Sequence, residues 1–362
     1  MARKSASASS GSEGDEAIIR QILLPKLRGR KGIGVVVGVL RGAERRFYAL
    51  GESGNSERPQ LDDRSLFCIA SLTKPITSAL LAEMVERGEV RLSDTLGSLF
   101  PSRVKLPNRT ASITLKQLAA HQSGLPRIPH VIAKKDDKDP YVGFTPTDLI
   151  EYLGAYRLRY KPGEHYRYSN LGYGILGHIL AYRLEMPFDQ AVMQRVCLPL
   201  GMTDTMVHIP LSKQNRLAQG HDALGEPTNR WLMTPVFLGA AALHSSAADL
   251  LKFVSANLGL VETRLAGPLA YTRRFARKIP DGPRCFMCLG WYKVLGRLPK
   301  DAACPGERRV YLHHGDNNAF HCFMGFDEKS KIGLVALSNA HHKMRIASSG
   351  EEVLKKLLAG KQ

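Results

Sequence analysis

The sequence predicts an α+β fold in which one antiparallel sheet is built from both ends of the chain, flanked by helices and joined to a mostly helical portion. Three observations lead there. β-Branched and aromatic residues bounded by glycine mark strands near each end, within 33–50 and 309–337. Apolar residues at helical spacing occupy the stretch from about 94 to 260. No period of about 20 to 50 residues repeats along the chain, which excludes a solenoid or a propeller. Strands at both ends bring the termini into one sheet, the helices form a second layer, and clefts form where such layers meet.

Residues 1–13 are polar, small and mixed in charge; they read as a mobile tail and lack the apolar core of a secretory signal. Residues 33–40, a turn at Arg41, Gly42 and Ala43, and 46–50 form a β-hairpin. Cys68, Ile69 and Ala70 then lead into a helix on which Leu80, Leu81, Met84 and Val85 share a face and Gly88 is the stop signal. Pro75 fits only a first turn, so Ser71 belongs at or just before the N-terminus of that helix.

Further helices are expected over 113–121, 145–153, 171–183, 188–196 and 246–258. Two carry explicit start signals: Thr145 as a hydroxyl cap before Pro146 and Asp148, and Ser246 three residues before Asp249. Residues 261–308 look irregular and basic, a long loop or insertion with Arg273, Arg274, Arg277 and Lys278 clustered. Strands return at 309–313, 319–326 and 331–337, and an amphipathic helix over 351–358 closes the chain. The expected organisation is one domain over 14–345. It comprises an α/β part (14–93 and 309–362), a helical part (94–260), the basic insertion, and a terminal helix within 346–362 packed on the sheet.

At 362 residues and 44% apolar composition, the chain is too long and too apolar for a disordered segment or a disulfide-stapled miniature. A formal charge of +18 is compatible with nucleic acid, an anionic surface or an acidic ligand, and does not choose among them. The longest uncharged runs, such as 33–40 and 236–243, fall short of the roughly 20 residues a membrane helix needs. Cys68, Cys197, Cys285, Cys288, Cys304 and Cys322 lack the density of a disulfide scaffold; free thiols in a reducing cytoplasm are expected.

Three short segments carry candidate chemistry. In Ser71-Leu72-Thr73-Lys74 a hydroxyl and an ammonium share one helical face. Serine becomes nucleophilic once a neighbour takes its proton, and a desolvated lysine can be that base. The helix N-terminus adds a backbone N–H suited to a developing oxyanion. In Tyr168-Ser169-Asn170, between a turn and a helix, the phenol can relay a proton and the amide can hold an acyl side chain. In His313-His314-Gly315, at a strand end before Asp316, the glycine permits close approach, an N–H beyond it can be a second oxyanion donor, and a histidine can orient the tyrosine or bind substrate.

Ser-x-x-Lys, then Tyr-x-Asn, then a His-x-Gly in this order resemble the serine β-lactamase and penicillin-binding-protein superfamily. The resemblance is strongest to its class C β-lactamase-like branch of DD-peptidases and family VIII carboxylesterases. It extends through 69–74, 113–126, 161–173, 199–204, 243–249 and 337–339, and so covers roughly Gly32 to Asn339. The resemblance implies a β-lactamase/transpeptidase-like fold and hydrolysis of a small ester, amide or β-lactam through an acyl-enzyme on Ser71. Lys74 and Tyr168 would share proton transfer, Asn170 would position the acyl group, and His313 would support Tyr168 and the substrate. His314 and Gly315 would belong to the substrate-binding edge, the N–H groups of Ser71 and Asp316 would form the oxyanion hole, and no metal or other cofactor would be needed.

One departure bears on substrate. Where relatives continue with glycine, serine or threonine, this chain has Asp316-Asn317-Asn318. A carboxylate there would repel carboxylate-bearing substrates and favour a neutral or cationic ester or amide. The alternative function is a catalytically idle relative that binds a peptide or anionic polymer in the same cleft. Other signals read as structural. Cys285-x-x-Cys288 with Cys304 and Cys322 lacks the second pair of a zinc site, and buried thiols beside Trp291 are expected instead. The Arg273–Lys278 cluster lacks interleaved aromatics for nucleic acid and reads as a solvated loop. His121 and His130 read as surface histidines.

Overall fold

The computed structural model describes residues 6–101, 103–132, 139–280, 282, 284–298, 306–341 and 345–360. Its centre is an eight-stranded antiparallel sheet. Strands β1 (Gly34–Arg41) and β2 (Glu44–Gly51) form the first hairpin. A two-residue strand β3 (Phe67–Cys68) pairs with β4 (His244–Ser245) in a separate ribbon. The remaining strands are β5 (Arg277–Lys278), β6 (Cys285–Met287), β7 (Tyr292–Leu298), β8 (Gly306–Asp316), β9 (His321–Asp327) and β10 (Ile332–Ser338). The order across the sheet is β2-β1-β10-β9-β8-β7-β6-β5, so the two ends of the chain meet where β1 pairs with β10.

The principal helices are α1 (Ala6–Leu27), α2 (Thr73–Glu86), α3 (Pro146–Ala155), α4 (Asn170–Arg183), α5 (Ala247–Asn257), α6 (Ala266–Thr272) and α7 (Ile346–Ala359). Strand pleating sorts the core into two layers. Val35, Val37 and Val39 face one way and pack with Ile19 and Leu23 of α1 and Val353 and Leu357 of α7. Val36 faces the other way, into the larger core containing Leu80 of α2, Leu176 of α4 and Leu251 of α5. The local start signals hold: Thr145 and Asp148 form a reciprocal capping box at α3, and the Ser246 hydroxyl accepts from Asp249 N at α5.

Four expectations require correction. Residues from Ala6 onward, placed in a mobile tail up to 13, are helical; residues 1–5 lie outside the described residues. The reason is the apolar repeat at Ile19, Ile22, Leu23 and Leu27, which needs burial and finds it on the sheet. Residues 261–308 are not a loop, because α6, β5, β6, β7 and the start of β8 lie there and extend the sheet. Arg273 is no solvated cation: Nε bonds Glu328 at 2.9 Å, and the guanidinium also bonds Asn257 Oδ1 and the Leu269 carbonyl. Finally, the helix expected over 188–196 is α-helical only for Phe188–Val192 and continues as a wider turn over Met193–Cys197.

Asn339, just past β10, ties the chain ends together. Its Oδ1 accepts from Gly34 N at 2.8 Å, and its Nδ2 donates to the carbonyls of Gly32, Ser53 and Gln219 at 2.8–2.9 Å; the bonds to Gly34 and Ser53 are buried and the other two partly so. Removing the amide leaves buried and half-buried backbone groups on three segments unpaired. Asn339→Ala is expected to cost about 3 kcal/mol in denaturant unfolding, with the shape of the folded far-ultraviolet dichroism spectrum retained.

Candidate active site

Ser71 sits in a 3-10 turn, Ala70–Leu72, that runs directly into α2. The turn is entered through Ala70, whose φ of 44° is in the left-handed region, at a cost of order 1–2 kcal/mol for a residue with a Cβ. Strand β8 packs on this turn. The contact requires Gly315, because a Cβ there would lie 2.2 Å from the Ile69 carbonyl oxygen. The glycine therefore serves an approach of backbone to backbone, which brings the end of β8, with Asp316, beside the serine.

Lys74, the second residue of α2, lies three residues beyond Ser71 and is completely buried. Its Nζ donates to Ser71 Oγ, Asn170 Oδ1 and the Ala240 carbonyl, each at 2.9 Å. None of these partners is a carboxylate. The Ala240 carbonyl reaches the amine because Gly239 packs on Gly177 of α4, where a Cβ on Gly239 would lie 2.8 Å from Gly177 Cα. Burial, and secondarily the Arg127 charge, hold the Lys74 ammonium well below the usual lysine range.

Tyr168 comes from the segment before α4 and donates its hydroxyl to Ser71 Oγ at 2.9 Å. Burial pushes this phenol up, far above its ordinary range. Ser169 caps α4 through a bond from Gly172 N, and Asn170 is the first residue of that helix. The Asn170 amide nitrogen donates to the Tyr141 hydroxyl at 2.8 Å, which fixes the amide orientation so that its oxygen faces Lys74. Hydroxyl, amine, phenol and amide thus form one connected array, and Ser71 retains 9% exposure at its edge.

The strand residues divide. His313 is buried on the site's side of the sheet, its ring 6.4 Å from that of Tyr168, with Nδ1 donating to the His314 carbonyl at 2.8 Å. Burial holds it well below the usual histidine range, so it is neutral. His314, expected at the substrate edge, points to the opposite face and pairs with Glu351 of α7 at 2.7 Å. Successive strand residues alternate faces, so His313 and His314 cannot both enter the site. Asp316 is exposed at the strand end.

Two residues went unrecognised in the sequence. His121, expected at the surface, is fully buried beneath Tyr168, with ring centroids 4.3 Å apart. Only its closeness to Ser123 and Gly124 in the 113–126 segment signalled it. Arg127 is exposed, with Cζ 5.3 Å from the Tyr168 ring centroid, and its carbonyl accepts from Asn170 N and Leu171 N. Elsewhere, Cys288 is buried while Cys285 is half-buried, and Cys304 lies outside the described residues. Among the described residues no three His, Cys, Asp or Glu side chains gather into a metal-holding group.

Known proteins resemble this chain in sequence and in fold. The Beta-lactamase family model matches residues 19–358. A beta-lactamase of Lysobacter lactamgenus is 30% identical over 84% of this chain and 82% of its own length. A D-alanyl-D-alanine-carboxypeptidase/endopeptidase of Escherichia coli (strain K12) is 28% identical over 84% of this chain and 79% of its own. Among solved structures, a beta-lactamase/D-alanine carboxypeptidase from Pseudomonas syringae superposes with a TM-score of 0.80 over 94% of this chain and 99% of that one, at 22% identity. A D-alanine carboxypeptidase from Burkholderia cenocepacia gives 0.78 over 95% and 99%, at 24% identity. At such identities the structural likeness speaks for the fold, while the family match spans nearly the whole sequence. The chain belongs to the Beta-lactamase family and is a serine hydrolase.

Proposed function

We propose that this chain hydrolyses an ester or amide, including a β-lactam or a D-amino-acid peptide bond, through an acyl-enzyme on Ser71. The observation that carries the reading is the Ser71 hydroxyl held at 2.9 Å from both the Lys74 amine and the Tyr168 phenol. The opposite displacements of the two pKa values divide the labour: the amine, driven low, takes the proton, and the phenol, driven high, stays protonated until the leaving group departs.

In acylation Lys74 Nζ removes the Ser71 proton as Oγ attacks the carbonyl carbon. The resulting ammonium lies 4.9 Å from the Tyr168 ring centroid and 5.6 Å from that of Tyr173, whose faces favour a cation. The N–H groups of Ser71 and Asp316 receive the oxyanion. The proton passes through the Tyr168 hydroxyl to the leaving nitrogen or oxygen as its bond to carbon breaks. In deacylation water attacks the ester carbon, its proton returns by the same pair, and Ser71 Oγ leaves reprotonated. Asn170 orients the acyl side, and His313 buttresses the phenol. An idle binding module gains no support from a serine hydroxyl already bonded to a base and an acid.

For substrate, Asp316 at the rim disfavours a carboxylate on its side, so neutral or cationic esters and amides are preferred. The names of the relatives extend the class to β-lactams and peptides ending in D-alanine. The Arg273–Lys278 segment is no nucleic-acid surface in this reading, since Arg273 is committed to Glu328 and Arg277 donates to the carbonyls of Gly163 and Glu164. No helix among the described residues is long and apolar enough to cross a membrane. Cys68, Cys197, Cys285, Cys288 and Cys322 are free thiols, which supports a cytoplasmic, reducing location.

Incubation with a p-nitrophenyl ester or a fluorescent penicillin is expected to give an adduct located by peptide mass on Ser71. The adduct should be absent in Ser71→Ala and reduced by at least about 100-fold in rate in Lys74→Ala. A normal acylation rate in Lys74→Ala removes the lysine from its role.

The base must be neutral, so kcat/KM for a neutral ester is expected to rise with pH along a limb whose midpoint lies well below the ordinary lysine value. Removing a nearby cation eases protonation of the amine. Arg127→Gln is therefore expected to move the limb to higher pH in pH–rate profiles at low ionic strength.

Asp316→Gly is expected to raise turnover of nitrocefin relative to a neutral ester by about 5-fold, because removing a like charge near the substrate carboxylate gains about 1 kcal/mol. An unchanged ratio removes Asp316 as a specificity element.

A further inference from the structure

We infer that His121 is a positioning residue for Tyr168: a neutral imidazole that brackets the phenol from below and sets its hydroxyl on Ser71. The inference rests on the acyl-transfer reading above and adds to it a residue that touches neither substrate nor the serine.

The bracket is built from both backbone and ring. The His121 carbonyl accepts from Arg167 N at 2.8 Å, and its Nδ1 accepts from Ser169 N at 3.1 Å. The residues on either side of Tyr168 are therefore both bonded to His121. Between these two anchors the imidazole lies against the phenol ring, with centroids 4.3 Å apart and planes tilted by 33°. Tyr173 lies 5.0 Å away on the same ring, and Tyr166 meets it edge-on at 6.1 Å and 88°. The two hydrogen bonds thus fix the backbone on either side of Tyr168, and the tilted ring contact limits where the phenol can lie.

Backbone conformation fixes the histidine in turn. Its φ of 53° is left-handed, which turns the side chain back under the 167–169 segment. An Nδ1 that accepts from an amide carries no proton, so the proton sits on Nε2. Among the described residues Nε2 has no hydrogen-bond partner. Burial, followed by the Lys74, His313 and Arg127 charges, holds His121 well below the usual histidine range and keeps this tautomer neutral. The neutral state matters mechanically, because a second proton would remove the Nδ1 acceptor and free Ser169.

The test is a double-mutant cycle in the full chain, read as the rate of Ser71 acylation and steady-state turnover of a neutral p-nitrophenyl ester. Asparagine tolerates the left-handed backbone but offers no ring. His121→Asn is expected to lower kcat by about 10-fold or more with KM within about threefold. His121→Phe, which restores a ring without the nitrogen acceptor, is expected to recover part of the lost kcat. Because His121 acts through the phenol, adding His121→Asn to Tyr168→Phe is expected to change the rate by less than about twofold. If His121→Asn does not fold, His121→Phe carries the same cycle, its single cost again vanishing on the Tyr168→Phe background.

Costs that multiply in the double variant overturn the inference, as does wild-type kcat in both single variants. A wild-type enzyme with no Ser71 adduct overturns the acyl-transfer reading and this inference with it. Normal wild-type acylation beside an additive cycle overturns the role of His121 alone.

Discussion

The site depends on an amine buried without a carboxylate. A lysine ammonium withdrawn from water is costly unless another charge offsets it, and Lys74 is offered only a hydroxyl, an amide oxygen and a backbone carbonyl. These satisfy its N–H groups without repaying the lost hydration, so the neutral amine becomes the accessible state. A carboxylate at the position of Asn170 would instead stabilise the ammonium. The polar but uncharged character of Asn170, and its orientation by Tyr141, therefore matter as much as the lysine itself.

Around that amine the fold supplies rigidity by close backbone contact. Gly315 lets β8 press on the turn that carries Ser71, and Gly239 against Gly177 lets the Ala240 carbonyl reach Nζ. Side chains cannot be inserted at either contact without moving the elements that hold Ser71 and Lys74. On the far side of β8, the His314–Glu351 pair ties the strand to α7, so the strand is anchored on both faces.

Much of this was legible in the sequence, for physical reasons that differ by element. The α+β architecture followed from β-branched runs at the two ends, and α3 and α5 from hydroxyl caps, which are local signals. Ser71 and Lys74 were legible because three-residue spacing on a helix is itself geometry, and Pro75 fixed where the helix starts. The order of Tyr168, Asn170 and His313 was readable only with a family likeness, since nothing local says that residues about 100 and 240 positions downstream of Ser71 converge. What failed was environment. His121 looked exposed because burial beneath Tyr168 is a tertiary fact, and His314 was assigned to the site because adjacent histidines are equivalent until a strand separates their faces. The segment 261–308 looked irregular because β5 and β6 are two and three residues long, too short for a periodic pattern.

The pairing of β1 with β10 carries a consequence for how the molecule is made. Val35 and its partner Ser338 are about 300 residues apart in the chain, so β1 emerges from the ribosome long before its central neighbour exists. Until then the nascent hairpin presents an open, valine-rich edge, and the apolar face of α1 has only half its final bed. Topologies dominated by such distant contacts close slowly and expose aggregation-prone edges while they wait. Biogenesis of this enzyme is therefore governed by its last strand and helix, and a stop codon shortly before β10 would release a sheet that cannot shut.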